Sequence, residues 1–138
     1  MSVAPRCLAL IAHDNRKVDL VAWATFNRET LAQFPMVATR HTARLMRDKV
    51  GLDVELLLSG PEGGDAQIAA RVATGDITAV FFFVDPLTAQ PHDPDIRALL
   101  RVCNVHNVPL ATNVASADLI IAALADAQGL RVTAAPSG

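Results

Sequence analysis

The run AVFFFV at residues 79–84 is the feature of this sequence that most restricts its fold. A strand in which consecutive residues are all apolar has no face for solvent, so it must be covered on both sides. Such strands are typical of parallel sheets that carry helices on each face. The run therefore indicates an α/β protein in which this strand lies near the centre of the sheet.

Shorter β-type runs and longer helical patterns alternate along the rest of the chain. The other predicted strands are 7–12, 36–38, 54–58 and 108–111, and the predicted helices are about 14–33, 42–50, 64–74, 94–106 and 116–127. Gly51 and Gly75 follow helical runs, and Ser116 is a candidate N-cap, which supports these boundaries. We therefore expect a single-domain, doubly wound three-layer sandwich, flavodoxin- or Rossmann-like, with a five-stranded, mostly parallel sheet.

Length and composition restrict the class of protein. The 138 residues are interpreted as one domain, 1–138, with a loose tail from about 128 to 138. A net charge of −2 without a basic stripe disfavours nucleic acid as a partner. No signal peptide is recognised, and no apolar run approaches the ~18 residues of a membrane helix. Cys7 and Cys103 lie apart in apolar segments, which favours reduced thiols, and we expect a cytoplasmic protein without membrane contact.

Residues that follow the predicted strands are the candidates for a site, because ligands bind beyond the carboxyl ends of the strands in doubly wound sheets. Three of the four histidines and most of the small polar residues occupy such positions. In chain order the candidates are His13, Asp14, Thr39, Arg40, His41, Thr42, Ser59, Gly60, Gly63, Gly64, Asp65, Asp85, His92, Asp95, Thr112 and Asn113. Their convergence on one edge predicts a polar binding site.

Two features of this edge suit an anion. Lys17 falls in the first turn of a predicted helix, where the macrodipole disfavours a cation; it is either a solvated lysine or a phosphate ligand. The segment 59–65 is rich in glycine, and it is either a common turn or a loop whose N–H groups approach an anion. Asp65, at the start of the next helix, is either a cap or a base that removes a proton beside a carbonyl.

Asp85 and His92 have two interpretations each. Asp85 follows an apolar strand and is either structural or orients a catalytic neighbour; His92 is either a surface histidine or a group that polarises a carbonyl. The histidines lack metal-binding spacing and no thiolates cluster, so no metal is expected. A GxGxxG after the first strand and a Walker GK[ST] are both missing, which disfavours dinucleotides and nucleoside triphosphates.

These segments resemble the methylglyoxal synthase family. The matching stretches are ALIAHDNRK at 9–17, LLSGPEGGDAQ at 57–67, FFVDPLTAQPHDPDIRALLR at 82–101 and VPLATNVASAD at 108–118. The resemblance extends from about residue 7 to 120. It implies a carbon–oxygen lyase that converts dihydroxyacetone phosphate to methylglyoxal and phosphate. It further implies a homohexamer that needs no cofactor and is inhibited by phosphate.

The resemblance also implies roles for individual residues. Asp65 is similar to the family's catalytic base, which removes the C3 proton of the substrate. His92 is similar to the group that contacts the carbonyl and moves protons between the enediolate oxygens. The accompanying acidic residues of the catalytic site correspond to Asp14, Asp85 and Asp95. The substrate and phosphate contacts correspond to His13, Lys17, Thr39, Thr42, Ser59 and Gly60.

One segment departs from the family pattern. The family's phosphate loop reads Thr-Gly-Thr-Thr-Gly, whereas this chain has Thr39-Arg40-His41-Thr42-Ala43. Any positive φ at the two former glycine positions would cost about 1 kcal/mol each. Our hypothesis is that Arg40 or His41 compensates with side-chain donors. In the family a further arginine near the C-terminus often comes from a neighbouring subunit, but the tail here does not match, and Arg131 is not assigned this role.

Two other functions use similar folds. A small-molecule-sensing regulatory domain is the main alternative, but the presence of Asp65, His92 and Asp95 together disfavours it, because a sensor has no need of a base. A receiver-type signalling domain would have an aspartate after the third strand and a lysine after the fifth. Those positions hold Ser59 and Thr112-Asn113, so this class is rejected.

Overall fold

The computed structural model describes residues 7–87, 96–127 and 129, which form a parallel sheet flanked by helices. The strands are β1 Cys7–Ala12, β2 Met36–Ala38, β3 Glu55–Leu56, β4 Ile77–Phe83 and β5 Leu110–Ala111. They are arranged in the order β3-β2-β1-β4-β5, and every pairing is parallel. The predicted α/β fold with a five-stranded sheet is confirmed.

The two central strands, β1 and β4, are covered on both faces. They pair from Leu8↔Ala79 to Ala12↔Phe83. Successive side chains of a strand point to opposite faces, so Phe81 and Phe83 enter one core cluster and Phe82 enters the other. All three rings are at most 2% exposed. The prediction that residues 79–84 form a buried central strand is therefore confirmed, although the strand begins two residues earlier.

Helices form a layer on each face of the sheet. They are α1 Lys17–Phe26, α2 Arg28–Leu31, α3 Arg40–Leu45, α4 Gly64–Ala73, α5 Ile96–Val105 and α6 Val114–Ala127. Buried residues of α1, α2, α3 and α6 join the cluster that contains Phe81, and buried residues of α4 and α5 join the cluster that contains Phe82. Among the described residues, no helix combines the length and the apolar character needed to cross a bilayer.

The predicted first helix, 14–33, is divided into three pieces. A 3₁₀ turn, Asp14–Arg16, precedes α1, and Asn27 separates α1 from α2. The side-chain Nδ2 of Asn27 donates to the carbonyl of Trp23 at 2.9 Å. Side-chain amides that bond to nearby backbone in this way compete with the helical ladder, which explains the break.

The bounds of four other predicted elements also shift. Ser116 is not the N-cap of α6, because Asn113 precedes the helix and its Oδ1 accepts the Ser116 N–H at 2.9 Å. The edge strands β3 and β5 are shorter than predicted, since each has a single neighbour to pair with. The predicted helix 42–50 begins earlier and finishes as a π-helical turn, Met46–Val50, that ends at Gly51 with φ +79°. The predicted tail, apart from residue 129, lies outside the described residues.

The order of the strands creates a crevice at one edge of the sheet. The chain leaves β1 towards β2 on one side, whereas it leaves β4 towards β5 on the other. The two connections therefore separate above the carboxyl ends of β1 and β4, at the point where doubly wound folds bind ligands.

Candidate functional site

A hydrogen bond between His13 and Asp85 joins the carboxyl ends of β1 and β4. The Asp85 N–H donates to Nδ1 of His13 at 2.9 Å, and the His13 N–H donates to the carbonyl of Phe83 at 3.0 Å. His13 is 3% exposed and Asp85 is 8% exposed. Because Nδ1 accepts a hydrogen bond, the proton of the neutral imidazole is on Nε2. The imidazole therefore has a defined tautomer and orientation.

The Asp85 carboxylate holds the loop that follows β4. Its Oδ2 accepts a hydrogen bond from Nδ2 of Asn15 at 2.8 Å, and its Oδ1 accepts the N–H of Leu87 at 3.0 Å. The bond to His13 comes instead from the Asp85 backbone N–H and does not involve this carboxylate. The carboxylate contacts secure the loop, and the orientation of a catalytic neighbour by Asp85 stays a prediction.

Lys17 joins the carboxyl ends of β1 and β2. Its Nζ lies 2.8 Å from Oδ1 of Asp14 and 2.8 Å from Nδ1 of His41. Since an ammonium group can only donate, Nδ1 of His41 accepts in this arrangement. Lys17 begins α1, as the sequence predicts, and the Asp14 carboxylate offsets the unfavourable helix potential. Lys17 and His41 also line a cavity of about 350 Å³ between α1 and α3.

The segment that departs from the family's glycine-containing loop is helical and unstrained. Thr39 has φ −59° and precedes α3, which begins at Arg40. No residue from 39 to 43 has a positive φ, so the expected strain from the missing glycines does not arise. Thr42 is 1% exposed, and its Oγ1 has no hydrogen-bond partner within the described part of the chain. A buried hydroxyl in this state costs about 1–3 kcal/mol.

Arg40 contacts the turn after β3 through Glu62, a residue that the sequence interpretation missed. Oε1 of Glu62 lies 3.2 Å from the Arg40 guanidinium and accepts the Ser59 hydroxyl at 2.7 Å. The Arg40 N–H also donates to the Leu58 carbonyl at 3.3 Å. The spacing Ser-x-x-Glu, typical of capping boxes, is the signal that could have identified Glu62.

Asp65 lies in the first turn of α4 and is half-buried. It is not the N-cap, because Gly63 holds that position with φ +107°. Its Oδ1 accepts the N–H of Ala66 at 2.9 Å. The positive potential of a helix N-terminus favours a carboxylate here.

Gly64 lets the start of α4 closely approach the segment that follows β3. A Cβ at this position would lie 1.9 Å from the Leu58 carbonyl oxygen and 2.9 Å from Cγ2 of Thr39. Thr39 therefore packs directly against the residue before Asp65. This contact brings the carboxyl end of β2 to the candidate base.

These contacts form a continuous series along the carboxyl edge of the sheet. They connect Asp85 to His13, Lys17 to Asp14 and His41, Arg40 to Glu62 and Ser59, and Thr39 to the start of α4. The two other predicted catalytic residues, His92 and Asp95, lie outside the described residues. In the described part of this edge, Lys17 and Arg40 are each paired with a carboxylate, and the half-buried Asp65 lies at the start of α4.

The residues that follow β5 line a second cavity, next to the loop that contains Asp85. Thr112 and Asn113 line a space of about 450 Å³ together with Val84, Pro86 and the ion pair Arg16–Asp19, among others. This cavity borders the Asp85 loop but includes neither Lys17 nor Asp65. No three potential metal ligands are grouped in the described ranges.

Neither cysteine has the properties of a nucleophile. Burial raises the pKa of the Cys103 thiol, and burial is also the main cause of the raised pKa of Cys7. A raised pKa reduces the fraction of reactive thiolate. Cys7 and Cys103 are therefore not candidates for the chemistry of this edge.

Comparison with known proteins relates the whole arrangement to one family. A family model described as MGS-like domain matches residues 19–112. The chain is 57% identical over 124 residues to methylglyoxal synthase of Cupriavidus pinatubonensis, covering 90% of this chain and 95% of that protein. It is 54% identical over 117 residues to methylglyoxal synthase of Thermus thermophilus, covering 85% and 93% respectively. The crystal structure of methylglyoxal synthase from Elizabethkingia anophelis matches with a TM-score of 0.83 at 41% identity, covering 85% of this chain and 77% of that chain.

Proposed function

The chain belongs to the methylglyoxal synthase family, and from this we propose that it eliminates phosphate from dihydroxyacetone phosphate to form methylglyoxal. It is an enzyme with lyase activity on a small-molecule substrate. The observation that carries the proposal is 57% identity over 95% of the length of a methylglyoxal synthase. The position of Asp65, Lys17 and Arg40 at the same edge of the sheet supports this chemistry.

In the proposed reaction, the Asp65 carboxylate removes a proton from C3, next to the carbonyl. The electron pair of the C–H bond forms the enediolate, which then expels phosphate as the C–O bond breaks. The released enol takes up a proton on carbon and becomes methylglyoxal. The electron pair from the C3–H bond is balanced by the pair that leaves with phosphate when the C–O bond breaks. The reaction therefore needs no external oxidant or reductant. We assign proton movement between the enediolate oxygens to His92, with Asp95 and Asp14 as accompanying acids and Asp85 as a positioning residue.

In this proposal, residues that follow β1, β2 and β3 donate hydrogen bonds to the phosphate group of the substrate. Elimination is favoured when the C–O bond to phosphate stands perpendicular to the enediolate plane, so the phosphate ligands also set the reaction geometry. The buried Thr42 hydroxyl, which has no partner among the described residues, suits a ligand oxygen. The proposed substrate and phosphate contacts are His13, Lys17, Thr39, Arg40, His41, Thr42, Ser59 and Gly60.

The direct test is to incubate the purified protein with dihydroxyacetone phosphate in a chelator and to measure methylglyoxal and phosphate together. Equal amounts of the two products are expected. A protein that binds phosphate but releases neither product would instead be a sensing domain of the same fold. We further propose a cytosolic homohexamer for which phosphate is both a product and an inhibitor.

Replacement of Arg40 by alanine tests the compensation hypothesis. The Arg40→Ala variant is expected to raise KM for dihydroxyacetone phosphate about 10-fold, because a charge-assisted hydrogen bond to phosphate is lost. Steady-state kinetics measures the change. Arg44→Ala is the matched control, since Arg44 is exposed on the same short helix. An unchanged KM in Arg40→Ala would exclude a role for this guanidinium in binding.

A further inference from the structure

The side chain of Glu62 occupies donors that the proposed function assigns to phosphate. Its Oε1 binds the Ser59 hydroxyl at 2.7 Å and the Arg40 guanidinium at 3.2 Å. A phosphate oxygen is also an anionic acceptor and would use the same two donors. We propose that Glu62 is an internal competitor that holds Ser59 and Arg40 in the empty enzyme and is displaced by the substrate's phosphate. This inference rests on the proposed function.

The turn that carries Glu62 presents the carboxylate to the site. Glu62 ends a 3₁₀ turn that starts at Gly60 and contains Pro61, whose ring restricts φ. Backbone bonds close the turn, from the N–H of Glu62 to the Ser59 carbonyl at 3.1 Å and from the N–H of Gly63 to the Gly60 carbonyl at 3.0 Å. Because the backbone of the turn is already fixed, binding of the Glu62 carboxylate to Ser59 orders only the side chain, which favours competition.

The ion pair is nevertheless weak enough for a phosphate to replace it. The side chains of Arg40 and Glu62 are 37% and 54% exposed, and exposed pairs contribute little free energy. A phosphate monoester carries about twice the charge of a carboxylate and can bind Arg40 in a bidentate manner. After displacement, Glu62 can turn towards water because it is already half-exposed. Glu62 therefore lowers the affinity for phosphate but does not prevent phosphate from binding.

Neutralising Glu62 tests the competition. Glu62→Gln keeps an acceptor for the Ser59 hydroxyl but removes the charge that holds Arg40, so the fold is expected to be retained. Titration calorimetry with inorganic phosphate is expected to give a Kd about 5-fold lower than that of the unaltered protein. The KM for dihydroxyacetone phosphate should fall in parallel. Glu29→Gln is the matched control, because Glu29 is exposed on α2, which precedes the amino end of β2.

A double variant distinguishes competition for Arg40 from general repulsion between Glu62 and phosphate. In an Arg40→Ala background, Glu62→Gln is expected to improve phosphate binding less than about two-fold. An equal improvement with and without Arg40 would overturn the proposal, as would unchanged or weaker phosphate binding by Glu62→Gln alone. Because calorimetry needs no turnover, a protein that binds phosphate but forms no product would contradict the proposed function only.

Discussion

Asp65→Asn is expected to reduce kcat for methylglyoxal formation at least about 1,000-fold, because an amide cannot take up the C3 proton. Release of phosphate should be lost to the same extent, since elimination follows proton removal. Both products are measured in one reaction mixture with dihydroxyacetone phosphate. The effect is expected in kcat, while binding of inorganic phosphate remains measurable by calorimetry.

The fold should tolerate this substitution, since the asparagine Oδ1 can still accept the N–H of Ala66 as Asp65 does. The loss of a carboxylate at a helix N-terminus costs about 0.3–1 kcal/mol, so Tm is expected to fall by no more than about 5 °C. Asp53→Asn removes the same charge at an exposed position before β3 and serves as the control, with full activity expected. If Asp65→Asn retained a tenth of the activity, another group would be the base.

Gly64→Ala is expected to lower the free energy of unfolding by at least about 3 kcal/mol, the upper part of the range for overpacked sites. The new Cβ would lie 1.9 Å from the Leu58 carbonyl oxygen, which is backbone and cannot rotate away. The start of α4 must therefore shift, and Asp65 must shift with it. Urea denaturation measures the loss of stability, and kinetics on the remaining folded protein should show a reduced kcat.

Gly75→Ala separates this steric effect from backbone strain. Gly75 has φ +86°, but a Cβ there would meet no atom within 4 Å. Its replacement should cost only about 1–2 kcal/mol, as expected for an alanine in a left-handed conformation. A Gly64→Ala protein as stable as Gly75→Ala would contradict the close approach of α4 to the Leu58 carbonyl.

Much of the fold could be predicted because hydrophobic periodicity determines which segments are buried. The bounds of β1 and β2 coincide with the predicted 7–12 and 36–38, where polar or proline residues end short apolar runs. The break at Asn27 was missed, because it depends on one side-chain amide that competes with the helix backbone. Similar local bonds at Asn113 explain the earlier start of α6.

The sequence predicts that the candidate site lies at one edge of the sheet, but it does not predict which side chains there bond to one another. Strand ends identify which residues reach the crevice, and the described candidates follow them as expected. Which side chains bond to one another depends on distances between separate loops, so the order of strands does not predict the contacts of Lys17 with His41 and of Arg40 with Glu62. The roles of His92 and Asp95 stay predictions from the family resemblance.

The bond between Asp85 and His13 spans 72 residues of sequence. Closing so large a loop is entropically unfavourable and succeeds only when the intervening strands have formed and paired. On the ribosome, a growing chain in which β4 has not yet been synthesised therefore cannot orient the His13 imidazole, even if its first half is already folded. Catalytic competence should appear as a late event in biosynthesis, so that a partly made chain releases no reactive dicarbonyl product.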